Sequence, residues 1–190
     1  MSSASPVFNT THVGGNAQVT NVNGDFNVVQ NVYPITPDQE HRIYQWLGAP
    51  DSSGNFHTAQ EKHHEQTGTW FIEGEEYRTW KETPKSALWV YGTPGCGKTI
   101  ICSTVIEKIR AECGTDPSSA CAYFFFDSRD AQTDLSLHNK LIRSIIRQLS
   151  HQSSGCPASL VELYGGGHEQ PSITSLELTL QKILDGFEHV

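Results

Sequence analysis

Gly92-Thr93-Pro94-Gly95-Cys96-Gly97-Lys98-Thr99 sets three glycines, a lysine and a hydroxyl residue at the GxxxxGK-Ser/Thr spacing. The chemistry that spacing serves is the holding of phosphate oxygens. Gly92, Gly95 and Gly97 let the backbone turn tightly and approach an anion with no Cβ in the way. The N–H groups of such a loop point inward as a nest, and a helix opening near Lys98 adds the positive end of its dipole. Lys98 is placed to reach the β- and γ-phosphates of a nucleoside triphosphate, and Thr99 to offer its hydroxyl to the accompanying Mg²⁺. Thr93, Pro94 and Cys96 complete the loop. The Cys96 thiol is either activated by Lys98 and the helix start or, as the plainer reading, a small neutral spacer. The expected ligand is ATP or GTP with Mg²⁺, held by residues 92–99.

Hydrolysis needs a further acidic group at the end of an apolar strand and a residue that orients water. After the loop, the one apolar run ending in an acid is Tyr123-Phe124-Phe125-Phe126-Asp127. Asp127 is therefore a candidate Mg²⁺ ligand. Its position only one helix after the loop favours a second role, capping a turn at the strand end. No Asn-Lys-x-Asp guanine-reading motif occurs, since Asn139-Lys140 is followed by Leu141-Ile142; that favours adenine. His57, His63 and His64 lack the partners of a zinc ligand set and read as solvated positions.

The elements that must position the loop follow from periodicity. Ala87-Leu88-Trp89-Val90-Tyr91 is a continuous apolar run directly before it, the pattern of a strand buried on both faces of a parallel sheet. Lys98–Glu112 carries Ile101, Val105, Ile106 and Ile109 on one side and reads as an amphipathic helix closed by Gly114. Ala120–Phe126 is a second buried strand. Leu137, Leu141, Ile145 and Leu149 mark a helix over Leu135–Ser150. Thr36-Pro37 with Gln39 opens a helix to Leu47, Thr58–Glu65 and Glu75–Lys81 form two more, and Thr67–Phe71 is a turn into a short buried segment. Gly165–Gly167 breaks the chain, and Thr174-x-x-Glu177 is a capping box for a helix to about Phe187. The expected fold class is α/β: the N-terminal part of a P-loop NTPase fold, an incomplete parallel sheet flanked by helices, preceded by a low-charge tail.

Three regions result: a β-prone or disordered tail over residues 1–34, a helical lead-in over 35–84, and a partial nucleotide-binding domain over 85–190. In the tail, Asn23-Gly24 suits a type I′ turn between two β-prone runs, so a hairpin is the local expectation. The 190 residues carry a formal net charge of −8 and no basic block, which argues against nucleic-acid binding. The longest apolar run, Ala120–Phe126, falls far short of the roughly 20 residues of a bilayer span. Five cysteines without CxxC spacing suit a reducing, cytoplasmic setting.

Taken together, Thr67-Gly68-Thr69-Trp70-Phe71, Trp80, Leu88–Gly92, the loop, Ala122–Asp127 and Leu141–Leu149, with Trp46-Leu47 upstream, resemble NACHT-type signalling NTPases. The chain is similar to the nephrocystin-3-like N-terminal NACHT region of fungal NOD-like receptor proteins over about residues 36–190. The resemblance implies a nucleotide-switched module whose phosphate and Mg²⁺ contacts map to Gly92, Gly95, Gly97, Lys98 and Thr99, with Thr67–Trp70 near the base. It also implies that the acidic Walker B strand would follow residue 190, so hydrolysis is expected to be weak or absent. Partners implied are homologous NACHT proteins, or self-association through the N-terminal segment by amyloid-like templating. A peptide of residues 12–34 is then expected to form thioflavin-positive fibrils at high micromolar concentration, and its staying soluble argues against templating. Two other readings stand beside this one: a nucleotide-independent fragment docking on full-length relatives, and a small kinase or ATPase using Asp127.

Overall fold

Helix α1, Pro37–Leu47, begins where local chemistry places it. Gln39 donates its N–H to Thr36 Oγ1 at 3.3 Å, and Thr36 donates its own to Gln39 Oε1 at 3.0 Å. Gly48, in the left-handed region, ends it. The computed structural model describes residues 35–61, 68–126, 134–153 and 155–190, with Asp134 and Leu135 as backbone only. The tail hairpin, Thr67, His63, His64 and Asp127 lie outside the described residues.

Among the described residues seven further helices follow: α2 (Ser53–Glu61), α3 (Thr69–Ile72), α4 (Glu75–Glu82), α5 (Lys98–Cys113), α6 (Asp134–Gln152), α7 (Ala158–Tyr164) and α8 (Ile173–Leu184). The core is helical. Ile43, Tyr44 and Leu47 of α1, Ile142, Ile146 and Leu149 of α6, Leu160 of α7, and Leu176 and Ile183 of α8 pack together, joined by Ala120. Each such fully buried aliphatic side chain contributes about 1.5–3 kcal/mol of burial free energy. Outside that core, Phe56 and Ala59 of α2, Tyr77 of α4 and Ser103 of α5 are also buried.

The expected α/β fold with an incomplete parallel sheet is overturned. Among the described residues there is no strand and no sheet, only one isolated parallel bridge between Ser119 and His189. The reason is a pairing problem. A helix satisfies its own N–H and C=O groups, whereas a strand needs a neighbour. The Ala87–Tyr91 run makes no backbone hydrogen bond to any described residue, and it stands open to water: Trp89 is 85 % and Tyr91 83 % exposed. The Ala120–Phe126 run finds a substitute in side chains. Gln152 accepts the Cys121 N–H and donates to the Cys121 carbonyl, both at 2.9 Å. Gln148 accepts the Tyr123 N–H at 3.1 Å and donates to its carbonyl at 2.8 Å. Residues four apart on a helix rise about 6 Å, close to the roughly 6.6 Å between alternate residues of an extended chain. One face of α6 thereby serves as a strand's hydrogen-bonding edge.

Smaller departures share the same logic. Without a sheet beneath it, α5 buries only Ser103, and its Ile101, Val105, Ile106 and Ile109 are half-buried. Of the Thr67–Phe71 segment, Thr69–Phe71 enter the single turn α3, which is flanked by Gly68 and Glu73; none of the α3 residues is buried, and Trp70 is 68 % exposed. The second helix starts earlier than expected, at Ser53. On α6 the buried stripe is Ile142, Ile146 and Leu149, while Leu141 and Ile145 sit at its margin. Helix α8 is capped by Ser172, whose side chain accepts the Ser175 N–H at 3.1 Å; Glu177 instead meets His138 Nε2 at 3.1 Å. Helix α7 was not legible in the periodicity. Gly165, Gly166 and Gly167 all take positive φ, so the chain does break there.

Candidate functional site

The loop stands between the unpaired Ala87–Tyr91 run and the N-terminus of α5. Its turn is closed by the Cys96 N–H, which donates to the Thr93 carbonyl at 3.3 Å. Gly95 and Gly97 take φ of +82° and +88°, values that L side chains rarely adopt. Gly92 leaves room of a different kind: a Cβ there would lie 2.7 Å from Cys96 Sγ, so the thiol would have to turn away. The glycine spacing therefore reflects backbone demands of the folded loop itself.

Gly97 serves as N-cap of α5 without a side-chain cap, and its carbonyl takes the first helical bond, from Ile101 at 3.0 Å. The N–H groups of Lys98, Thr99 and Ile100 donate to no described residue. They are orphan donors at the positive end of a 16-residue helix. Residues Tyr91–Cys96 are exposed, so nothing described covers this end.

Lys98 folds back over the loop. Its ammonium donates to the carbonyl oxygens of Gly92 at 2.8 Å and Thr93 at 2.9 Å, and Cys96 Sγ lies 3.5 Å away. A single cation is thus held above a ring of backbone groups, on flexible methylenes that can swing to an incoming anion. The sequence pattern singled out the lysine but not this resting position. Thr99, on the first turn of α5, is exposed.

These residues fit a phosphate: free N–H donors, a helix N-terminus and a mobile ammonium converge, with no carboxylate among residues 91–101. The structure brings Gly92 through Thr99 together as one cradle. Of the Thr67–Trp70 stretch, Gly68 approaches α5, where a Cβ on it would meet Thr104 Oγ1 at 3.0 Å; Trp70 faces solvent. Lys81 Nζ meets Glu112 Oε2 at 2.7 Å, tying α4 to the far end of α5. Lys81, foremost, holds the Glu112 carboxyl below the ordinary glutamate range. Two open grooves, of about 430 and 330 Å³, lie elsewhere. The first runs between α4 and Thr83–Leu88, and the second between α6 and α8. Among the described residues no group of three or more His, Cys, Asp or Glu side chains gathers as a metal site. No helix among them is long and apolar enough to cross a membrane.

Comparison with curated proteins and with solved structures finds no match. A family model does match, that of nephrocystin 3, N-terminal, over residues 66–189. That span takes in the loop, α3 through α8 and the Ser119–His189 bridge. It covers more than half of the chain, and on it the chain belongs to the nephrocystin 3 N-terminal family.

Proposed function

We propose that this chain is a nucleoside triphosphate-binding module of a NACHT-type signalling NTPase, taking ATP with Mg²⁺ at Gly92–Thr99. The observation that carries the reading is the convergence at the head of α5 of three unbonded N–H groups and the Lys98 ammonium, resting on the Gly92 and Thr93 carbonyls. Thr93, Pro94 and Cys96 shape the turn, and Thr99 is the side chain placed to share the metal. Mg²⁺, when bound with the nucleotide, supplies charge neutralisation between the phosphates. Hydrolysis is weak or absent in this reading, since residues 91–101 contain no carboxylate to hold the metal or orient water.

A titration with a fluorescent ATP analogue and Mg²⁺ tests this. Saturable binding with a micromolar dissociation constant is expected, competed more strongly by ATP than by GTP. Failure of both nucleotides to compete contradicts the reading. The alternative, a nucleotide-independent fragment that docks on relatives, is favoured by the exposure of Trp89 and Tyr91 beside the loop. It predicts partner capture unaffected by Lys98→Ala.

A further inference from the structure

The thiol of Cys96 and the ammonium of Lys98 form a pair inside the loop. Lys98 Nζ donates to Cys96 Sγ at 3.5 Å while it also holds the Gly92 and Thr93 carbonyls. The sulfur lies against Gly92, where a Cβ would come within 2.7 Å of it. The Cys96 N–H is spent on the Thr93 carbonyl. With the backbone of the turn on one side, a group joined to Sγ has the open side of the loop to occupy. That is also the side from which a phosphate arrives at Lys98. Residues 91–96 are exposed, so a reagent reaches the sulfur from water. The other four cysteines are placed differently. Burial pushes the thiols of Cys102, Cys113 and Cys156 up, and that of Cys121 to about 11 although Arg110 opposes it. Thiols held high present little thiolate, the form that attacks.

We propose, on the reading of Gly92–Thr99 as the nucleotide site, that Cys96 is a thiolation site for an anionic low-molecular-weight disulfide of the glutathione disulfide class, and that the adduct closes the loop to phosphate. The exchange balances without a further reagent. The Cys96 thiolate attacks one sulfur of the disulfide, a new S–S bond forms to it, and the old S–S bond breaks. The departing thiolate takes up the proton that Cys96 gave up. The disulfide is the oxidant, and the half that leaves is reduced to the thiol. Lys98 acts at two points. Its charge draws the carboxylates of the reagent to the sulfur, and in the adduct those carboxylates engage the ammonium that phosphate needs. Adduct and nucleotide compete for one cation and one space, so each excludes the other by the same factor.

The test treats the full chain with glutathione disulfide, maps the adducts by peptide mass spectrometry and repeats the Mg²⁺–ATP titration. Cys96 is expected to react about tenfold faster than any other cysteine. The singly modified chain is expected to keep its thermal melt, to lose about 100-fold in Mg²⁺–ATP affinity and to regain it with dithiothreitol. In Cys96→Ser the affinity, whatever its starting value, is expected to be the same before and after treatment. The preference of Cys96 for glutathione disulfide over neutral hydroxyethyl disulfide is expected to fall about tenfold in Lys98→Ala, and an unchanged preference overturns the role given to Lys98. Another cysteine reacting first overturns the proposal. So does a modified chain that binds Mg²⁺–ATP as tightly as before, or one that loses binding together with its folded melt. Untreated protein that binds no nucleotide sinks the underlying reading instead, and mass mapping still shows whether Cys96 is the reactive thiol. An inert Cys96 in a chain that binds Mg²⁺–ATP sinks this proposal alone.

Discussion

Lys98→Ala is expected to lower the affinity for Mg²⁺–ATP by about 100-fold while barely moving the melting temperature. The two effects separate because the lysine does different things with and without ligand. Without ligand its ammonium bonds two exposed loop carbonyls. Water replaces those bonds when the side chain is removed, so the stability change stays within about 0.5 kcal/mol. In the proposed complex the same ammonium is expected to deliver a full charge to phosphate oxygens, and a loss of about 2.7 kcal/mol corresponds to that 100-fold. Parallel titrations and thermal melts of the two proteins check both halves. Equal affinities show that the loop does not hold the phosphates.

The second large effect is on stability. Replacing both Gln148 and Gln152 by leucine strips the hydrogen-bond partners from the N–H and C=O of Cys121 and of Tyr123. Each unsatisfied buried group costs about 1–3 kcal/mol. These groups are half-buried, so part of the cost is returned by water, and a net loss of about 3 kcal/mol is expected in denaturant unfolding. Each single variant is expected to lose about half as much. A double variant as stable as the parent shows that the glutamines only decorate the strand.

Those glutamines also mark where the sequence stopped being legible. The loop was readable because its glycines answer local backbone demands: positive φ at Gly95 and Gly97, and contact with Cys96 at Gly92. Helix α1 was readable for the same reason, since Thr36, Gln39 and Gly48 act within one turn of themselves. The sheet was misread because Ala87–Tyr91 and Ala120–Phe126 have strand composition, and composition does not reveal whether a partner is present. The spacing Gln148-x-x-x-Gln152, straddling the fully buried Leu149, held a clue to the clasp. It was lost in the helical periodicity that the same residues obey. Ser172 takes the cap two residues before Thr174, and Glu177 meets His138, a contact 39 residues away in sequence that no local pattern contains.

The proposed phosphate site is the head of α5. Backbone amide shifts of the labelled full chain, recorded as Mg²⁺–ATP is added, test it most directly. The largest, saturable changes are expected at Gly95, Gly97, Lys98 and Thr99, reproduced in part by inorganic triphosphate. Changes confined to other residues, or none at these four when the nucleotide is in excess, contradict it.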